Sequence, residues 1–362
     1  MAVRIESLRI QSLRCLVDAT LPLGAGLNVL VGANGTGKTS VLEAAFLLSH
    51  GRSFRSGARE ALLQRGAASL SVFAELRDAR QGIARLGMGR EGQRWEARKD
   101  GVSVPLGQLV RACAVVCFEP GSHALIAGGA DERRRFLDWG VFHVEQEFQL
   151  SWQRYQRALK QRNALLRASR PVVDALFEPW EVELAESAQL MDAARSAYLE
   201  RLRPHLANEL RAVVPELGTS SLRYRRGWPE DALLADQLAA SRERDRGRGH
   251  TTVGAHRADW SITTEQAPLR EHLSRGQEKL VALSCLLAQA TVYASQHEGE
   301  RPIVCLDDLA SELDQAHQAA IVARLLTVGA QVLITGTELP TALAGVPHRL
   351  FHVEQGQVSR LL

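Results

Sequence analysis

No apolar run in this chain approaches the ~18 residues that a membrane span requires. The longest stretch, Leu280 to Ala290, is broken by Ser284 and Gln289. The opening segment from Met1 to Arg14 carries charges every few positions and has no apolar core, so a secretory signal is not expected. Cysteine is scarce: Cys15, Cys113, Cys117, Cys285 and Cys305 lie mostly in apolar segments and form no CxxC pair. They read as buried, reduced thiols of a cytoplasmic protein. Lysine is scarcer still, with Lys38, Lys99, Lys160 and Lys279 the four among 44 basic residues. An arginine excess beside abundant alanine fits compositional drift in a GC-rich genome, so arginine richness alone points to no partner. A formal net charge of +3 likewise selects none. Internal repeats, low-complexity tracts and sustained heptads are absent from the sequence, and the last absence excludes a long coiled coil.

What remains is an ordinary globular composition, 45% hydrophobic and 23% charged, over 362 residues. That length favours two lobes over one core. Arg4 to Ile10 alternates as an edge or half-buried strand, and Leu27 to Val31 reads as a more buried one. An apolar helix from Lys38 to about Ser49 follows a glycine-rich turn. Short strands are expected over 70–118, with turns at Gly82, Gly87 to Gly92 and Asp100-Gly101. Residues 131–211 show helical periodicity, interrupted near Arg170-Pro171 and Glu178-Pro179. Residues 241–250 are charged and free of apolar side chains, which predicts a mobile loop. Pro302 to Leu306 and Gln331 to Thr335 are short apolar runs flanked by helical stretches, the pattern of a buried parallel sheet. The economical fold is an α/β nucleotide-binding head from both chain ends around a helical insertion. The expected boundaries are 1–120, 121–245 and 246–362.

Gly32-Ala33-Asn34-Gly35-Thr36-Gly37-Lys38-Thr39 matches GxxxxGK followed by Ser or Thr, between a predicted strand and a predicted helix. Its glycines let backbone N–H groups wrap phosphate oxygens at a helix N-terminus. Lys38 is expected to reach the β- and γ-phosphates of ATP, and Thr39 to hold Mg²⁺. Asp307 and Asp308 follow a predicted strand. Such acids either cap the next helix or, beside a phosphate loop, hold Mg²⁺ (Asp307) and act on the attacking water (Asp308).

Leu273-Ser274-Arg275-Gly276-Gln277 opens an apolar helix upstream of that strand and resembles the LSGGQ signature of ABC-type ATPases. Ser311-Glu312-Leu313-Asp314 resembles their D-loop. The resemblance implies an ABC-type P-loop ATPase head, with Ser274, Gly276 and Gln277 facing a nucleotide held by a second copy. The separation between Lys38 and Ser274 is too long for a compact transporter ATPase. Thr335-Gly336-Thr337 stands where transporters carry a switch histidine. The chain therefore resembles the chromosome-maintenance branch of SMC, Rad50, RecN and RecF, and within it RecF, which lacks the coil. That likeness extends through Gly51-Arg52-Ser53-Phe54-Arg55, Arg133 to Trp139, Leu159 to Leu166 and Gly254 to Asp259. It implies an ATP-dependent DNA-binding clamp of recombinational repair and replication restart. The implied clamp is a homodimer on single-stranded, gapped or junction DNA that is released by slow, DNA-stimulated ATP hydrolysis. The resemblance also implies help in loading recombinase with the mediator protein RecR, and support of SOS induction. Arg55 is expected either to reach the nucleotide or to be a surface arginine. His256 is either a buried structural residue or a nucleotide contact, and Glu119 precedes Pro120 in place of the family's acid after it.

For DNA, Ser151 to Arg170 holds six basic residues and no acid. Arg154, Arg157 and Lys160 fall at helical spacing, and with Arg162 they form either a phosphate-tracking face or a solvated face paired with the acids of 174–192. The run Arg242, Arg244, Arg246, Arg248 fits a charged loop better. No helix-turn-helix or zinc finger is present, so binding should follow phosphate and DNA shape.

Overall fold

A computed structural model describes residues 3–55, 59–78, 82–170 and 172–361; Pro171 lies outside them. The chain forms two compact units, 1–122 with 282–362, and 123–281. The expected boundaries were 120/121 and 245/246. The second division instead falls inside the helix Arg275–Gln296, which carries the Ser274 signature at its start. Among the described residues no helix is long and apolar enough to cross a membrane.

The first unit contains two six-stranded sheets. One is an antiparallel meander in the order Leu16–Pro22, Arg4–Leu13, Ser69–Asp78, Gly82–Glu91, Arg94–Lys99, Val102–Ser103. Arg4–Leu13 is half-buried as expected, with Ile5, Leu8, Ile10 and Leu13 turned to the core, but it lies inside the sheet and not at its edge. Gly87 and Gly89 lie inside the strand Gly82–Glu91 and do not mark turns, because cross-strand pairing with Phe73 and Ser71 continues through them. The second sheet runs Gln357–Arg360, His348–Glu354, Leu27–Val31, Val332–Gly336, Ile303–Leu306, Val115–Phe118, parallel except at its hairpin end. Apolar residues from both sheets and from the helix Lys38–His50 form one buried cluster, so this helix is apolar nearly all round. Leu42, Leu47 and Leu48 are fully buried on it, each stabilising the fold by about 1.5–3 kcal/mol. The phosphate-loop turn is thus held between a central strand and a helix fixed in the core.

The second unit is mainly helical, built on Ala130–Val144, Phe148–Leu166 and Glu178–Val213, with one antiparallel ribbon of Ser220–Arg225 and Asp259–Thr264. Its interior is organised by buried arginines. Arg162 is fully buried and donates to Glu181 (3.0 Å), Asp245 (2.7 Å), Thr251 (2.9 Å) and the Leu238 carbonyl (2.8 Å). It therefore cannot face a DNA phosphate, contrary to expectation. Removing either member of such a buried pair costs about 3–5 kcal/mol. Arg154 is held by Glu183 through two hydrogen bonds of 2.6 and 2.9 Å and reaches Glu186, the acid-paired alternative. Arg157 and Lys160 are exposed on the same helix.

Residues 241–250 are not a loop. Arg242–Arg248 is a helix whose buried Asp245 accepts from Arg162, Ser241 and Thr252, while Arg242 pairs with Glu181. His256 is structural: its Nδ1 accepts from the buried Tyr155 hydroxyl (2.6 Å) and its Nε2 donates to the Thr251 carbonyl (3.0 Å). Burial pushes its pKa down to about 4, so it stays neutral at physiological pH.

Candidate nucleotide site

The turn after Leu27–Val31 depends on glycine at two points. A Cβ on Gly32 would lie 2.1 Å from the Val353 carbonyl oxygen. Gly37, with φ 118°, would place one 2.9 Å from Leu16 and 3.1 Å from the Cys15 sulfur. A side chain at either position would displace the loop from its strand. The Lys38 ammonium folds back over the turn and donates to the Gly32 and Ala33 carbonyls at 2.7 and 2.8 Å. Burial lowers the Lys38 pKa, opposed by the carboxylates of Asp308 and Asp307.

Asp307 stands at the end of Ile303–Leu306. Its Oδ1 accepts from the Thr39 hydroxyl (2.9 Å) and from the Thr335 hydroxyl (2.6 Å). Burial raises the Asp307 pKa, and hydrogen bonds from Thr335 and Thr39, with the charge of Arg55, work against the rise. Asp308 adopts a left-handed backbone (φ 52°), and its N–H donates to the same Thr335 hydroxyl at 2.9 Å. Thr335 thus orients both acids. The Asp308 Oδ1 is buried and has no hydrogen-bond partner among the described residues. Asp308 is the residue preceding the short helix Leu309–Glu312, yet its side chain makes no cap, so the helix-cap alternative fails.

A cavity of about 370 Å³ joins Lys38, Thr39, Arg55, Glu119, Asp307 and Asp308. Arg55 is 37% exposed and lies 3.9 Å from Glu43. Glu43, fully buried on the phosphate-loop helix, is also gripped by Arg14 at 3.0 and 2.8 Å and accepts from the Ser53 hydroxyl. This pins Ser53 to Arg55 against the helix. Among the described residues no group of three or more His, Cys, Asp or Glu could hold a metal by itself. Thr39 and Asp307 do suit Mg²⁺, which takes few protein ligands and completes its shell with phosphate and water. The unsatisfied Asp308 oxygen beside them suits a water.

Ser274 is exposed and belongs to the second unit. It forms a reciprocal cap: its N–H donates to the Gln277 side chain (3.0 Å), and the Gln277 N–H donates to its hydroxyl (3.3 Å). Gly276 lies in this first turn, exposed like Ser274.

The RecF/RecN/SMC N-terminal domain family matches residues 4–358. A DNA replication and repair protein RecF from Stenotrophomonas maltophilia (strain R551-3) is 47% identical over 363 residues, spanning 98% of this chain and 99% of its own. This chain belongs to the RecF family. The solved structure of a recombination mediator protein RecF with ATP is similar at a TM-score of 0.90 and 25% identity, over 100% of this chain and 98% of that one. An Smc head domain from Pyrococcus furiosus shares the fold at a TM-score of 0.59 and 14% identity, over 99% of this chain and 96% of its own. Membership of RecF, a family of DNA replication and repair proteins, agrees with the ABC-type head and inserted lobe described above.

Against that RecF frame, the structure brings Lys38, Thr39, Arg55, Asp307 and Asp308 to one cavity, with Asn34, Gly35 and Gly37 also in its wall. Gly32, Ala33 and Thr36 complete the turn, the Thr36 hydroxyl donating to the Ala33 carbonyl (2.9 Å). Sequence reasoning missed Thr335 as the residue orienting both acids, and the Arg14–Glu43–Ser53 clasp behind Arg55. It also missed Cys15, which is exposed and lines the cavity, although it was expected to be buried. Its neighbour Leu16 alone points into the core.

Proposed function

We propose that the chain is an ATP-dependent clamp on DNA that works as a homodimer in the cytoplasm. The observation that carries this reading is the Thr39–Asp307–Asp308 arrangement under a complete phosphate loop. ATP and Mg²⁺ are the cofactors it suits. Lys38 and the loop N–H groups would hold the phosphates, Thr39 and Asp307 the cation, and Asp308 the attacking water. Bound Mg²⁺ would supply charge neutralisation on the transferring phosphoryl group. Hydrolysis would be slow and stimulated by DNA, serving as a release step.

The chain has one phosphate loop and one signature, so two complete sites need two copies. The exposed helix start at Ser274, where the helix dipole presents positive potential, suits the γ-phosphate on a partner subunit. ADP lacks that phosphate and should bridge the subunits poorly. Gapped or junction DNA, the mediator RecR, recombinase loading and SOS induction belong to this reading through the family.

Ser274→Arg tests it. Light scattering after size exclusion should show dimer for the parent protein with ATP and Mg²⁺, and monomer for the variant, with ATP binding retained. A variant that still dimerises with ATP would defeat the shared site. Arg55→Ala is expected to slow ATP turnover about tenfold, the order of one charge-assisted hydrogen bond. Unaltered turnover with and without DNA would make Arg55 a surface residue held by Glu43.

A further inference from the structure

The ribbon of the second unit presents a basic face. Ser220–Arg225 alternates, so Leu222 and Tyr224 point to one side while Ser221, Arg223 and Arg225 share the other. Across the ladder, Arg223 pairs with Ser261 and Arg225 with Asp259, while Ser221 faces Thr263. Two grooves of about 500 and 410 Å³ meet at Arg225. The first is lined by Arg223, Asp259 and Ser261, the second by Arg226, Trp228 and Arg257.

These cations differ in how far they are already paired. Arg223 is exposed, and its side chain makes no hydrogen bond or ion pair among the described residues. Arg225 is 82% exposed and only 3.6 Å from Asp259, whose carboxylate is already gripped by Arg133 at 2.7 and 3.1 Å. Arg257 is exposed and reaches just the Thr251 carbonyl, at 3.5 Å. Arg226 stacks on Trp228 at 4.7 Å and donates to the Pro229 carbonyl. Glu230 is the one acid lining the second groove, and the Arg133-paired Asp259 the one lining the first.

We infer that this ribbon face binds the sugar-phosphate backbone of DNA, with Arg223 and Arg225 as the main phosphate contacts and Arg257 beside them. Two arginines two residues apart on one strand stand about 7 Å apart, a spacing comparable with that of successive phosphates along a DNA strand. The hydroxyls of Ser221, Ser261 and Thr263 between them are the other side-chain type that phosphate contacts use. None of the exposed large apolar side chains among the described residues lies on either strand, and a protein partner would need such anchors at its centre. The competing surface, Arg157 and Lys160, is weaker on both counts: its cations ride on a helix, and Arg157 lies in the field of Glu183.

The inference rests on the clamp reading and adds a location to it. Its test uses the full chain with ATP and Mg²⁺ and a fluorescent DNA duplex carrying a single-stranded gap. Anisotropy is followed from about 50 to 200 mM salt. The double variant R223E/R225E should bind at least about tenfold more weakly, with the slope of log affinity against log salt reduced by about two. Its ATP turnover without DNA should match the parent, which reports a folded protein. R157E/K160E should lose less. Unchanged affinity and slope in R223E/R225E, or a larger loss in R157E/K160E, would overturn the surface while leaving the clamp intact. A parent protein with no salt-dependent DNA binding would overturn the clamp, and this surface with it.

Discussion

Replacing Lys38 by alanine is expected to lower ATP turnover by about 10²–10³-fold, the cost of removing one preorganised charge stabiliser from a phosphoryl-transfer site. Two of the three ammonium donors are committed to the Gly32 and Ala33 carbonyls, so the same group that would meet the phosphates also closes the turn. Alanine removes both actions at once. The remaining lysines, 99, 160 and 279, are remote in sequence, and arginine cannot replace a compact ammonium in so tight a fold-back. Turnover of the purified variant, with circular dichroism to confirm its fold, is the measurement. Activity within a few-fold of the parent would remove the phosphate loop from the proposed site.

Asp308→Asn should behave differently, keeping ATP affinity while lowering the hydrolysis rate about 10²–10⁴-fold, the usual worth of a positioned proton acceptor. The substitution is clean for two reasons. Asparagine tolerates the left-handed backbone that Asp308 adopts, and the N–H that donates to Thr335 is retained. What is lost is the negative charge and one of two acceptor oxygens, at a carboxylate whose Oδ1 is buried and unsatisfied. With ATP bound but not cleaved, dimer should accumulate on DNA and dissociate slowly. Single-turnover hydrolysis and DNA off-rates measure the two halves separately. A parental hydrolysis rate in the variant would remove Asp308 from the chemistry.

The candidate nucleotide site was legible because each of its two main pieces is local. Gly32 to Thr39 is one continuous segment of turn and helix start, and Asp307 and Asp308 sit where an apolar run stops. Thr335 was visible only as a departure from transporters; its role depends on strand Val332–Gly336 lying beside Ile303–Leu306, which periodicity does not order. Charged segments were the opaque part. Arg162 looks like a solvated helix residue until Glu181, Asp245 and Thr251, distant in sequence, converge on it. The same convergence turns the apolar-free 241–250 stretch into an anchored helix, since a buried carboxylate can hold a helix that no apolar stripe would. Arg223 and Arg225 did carry a signal, the period-two alternation of Ser220–Arg225, but against forty scattered arginines it did not stand out.

The strand leading into the phosphate loop, Leu27–Val31, has both its sheet neighbours, Val332–Gly336 and His348–Glu354, near the other end of the chain. During synthesis the loop therefore emerges from the ribosome early and waits without either neighbour of its strand until nearly the whole chain has been translated. The contiguous stretch 123–281 has no such debt and can mature in the interval. Closing so long a loop is entropically slow and leaves apolar strands exposed meanwhile. A ribosome stalled shortly before codon 332 would thus hold a folded lobe tethered to a head unable to grip nucleotide.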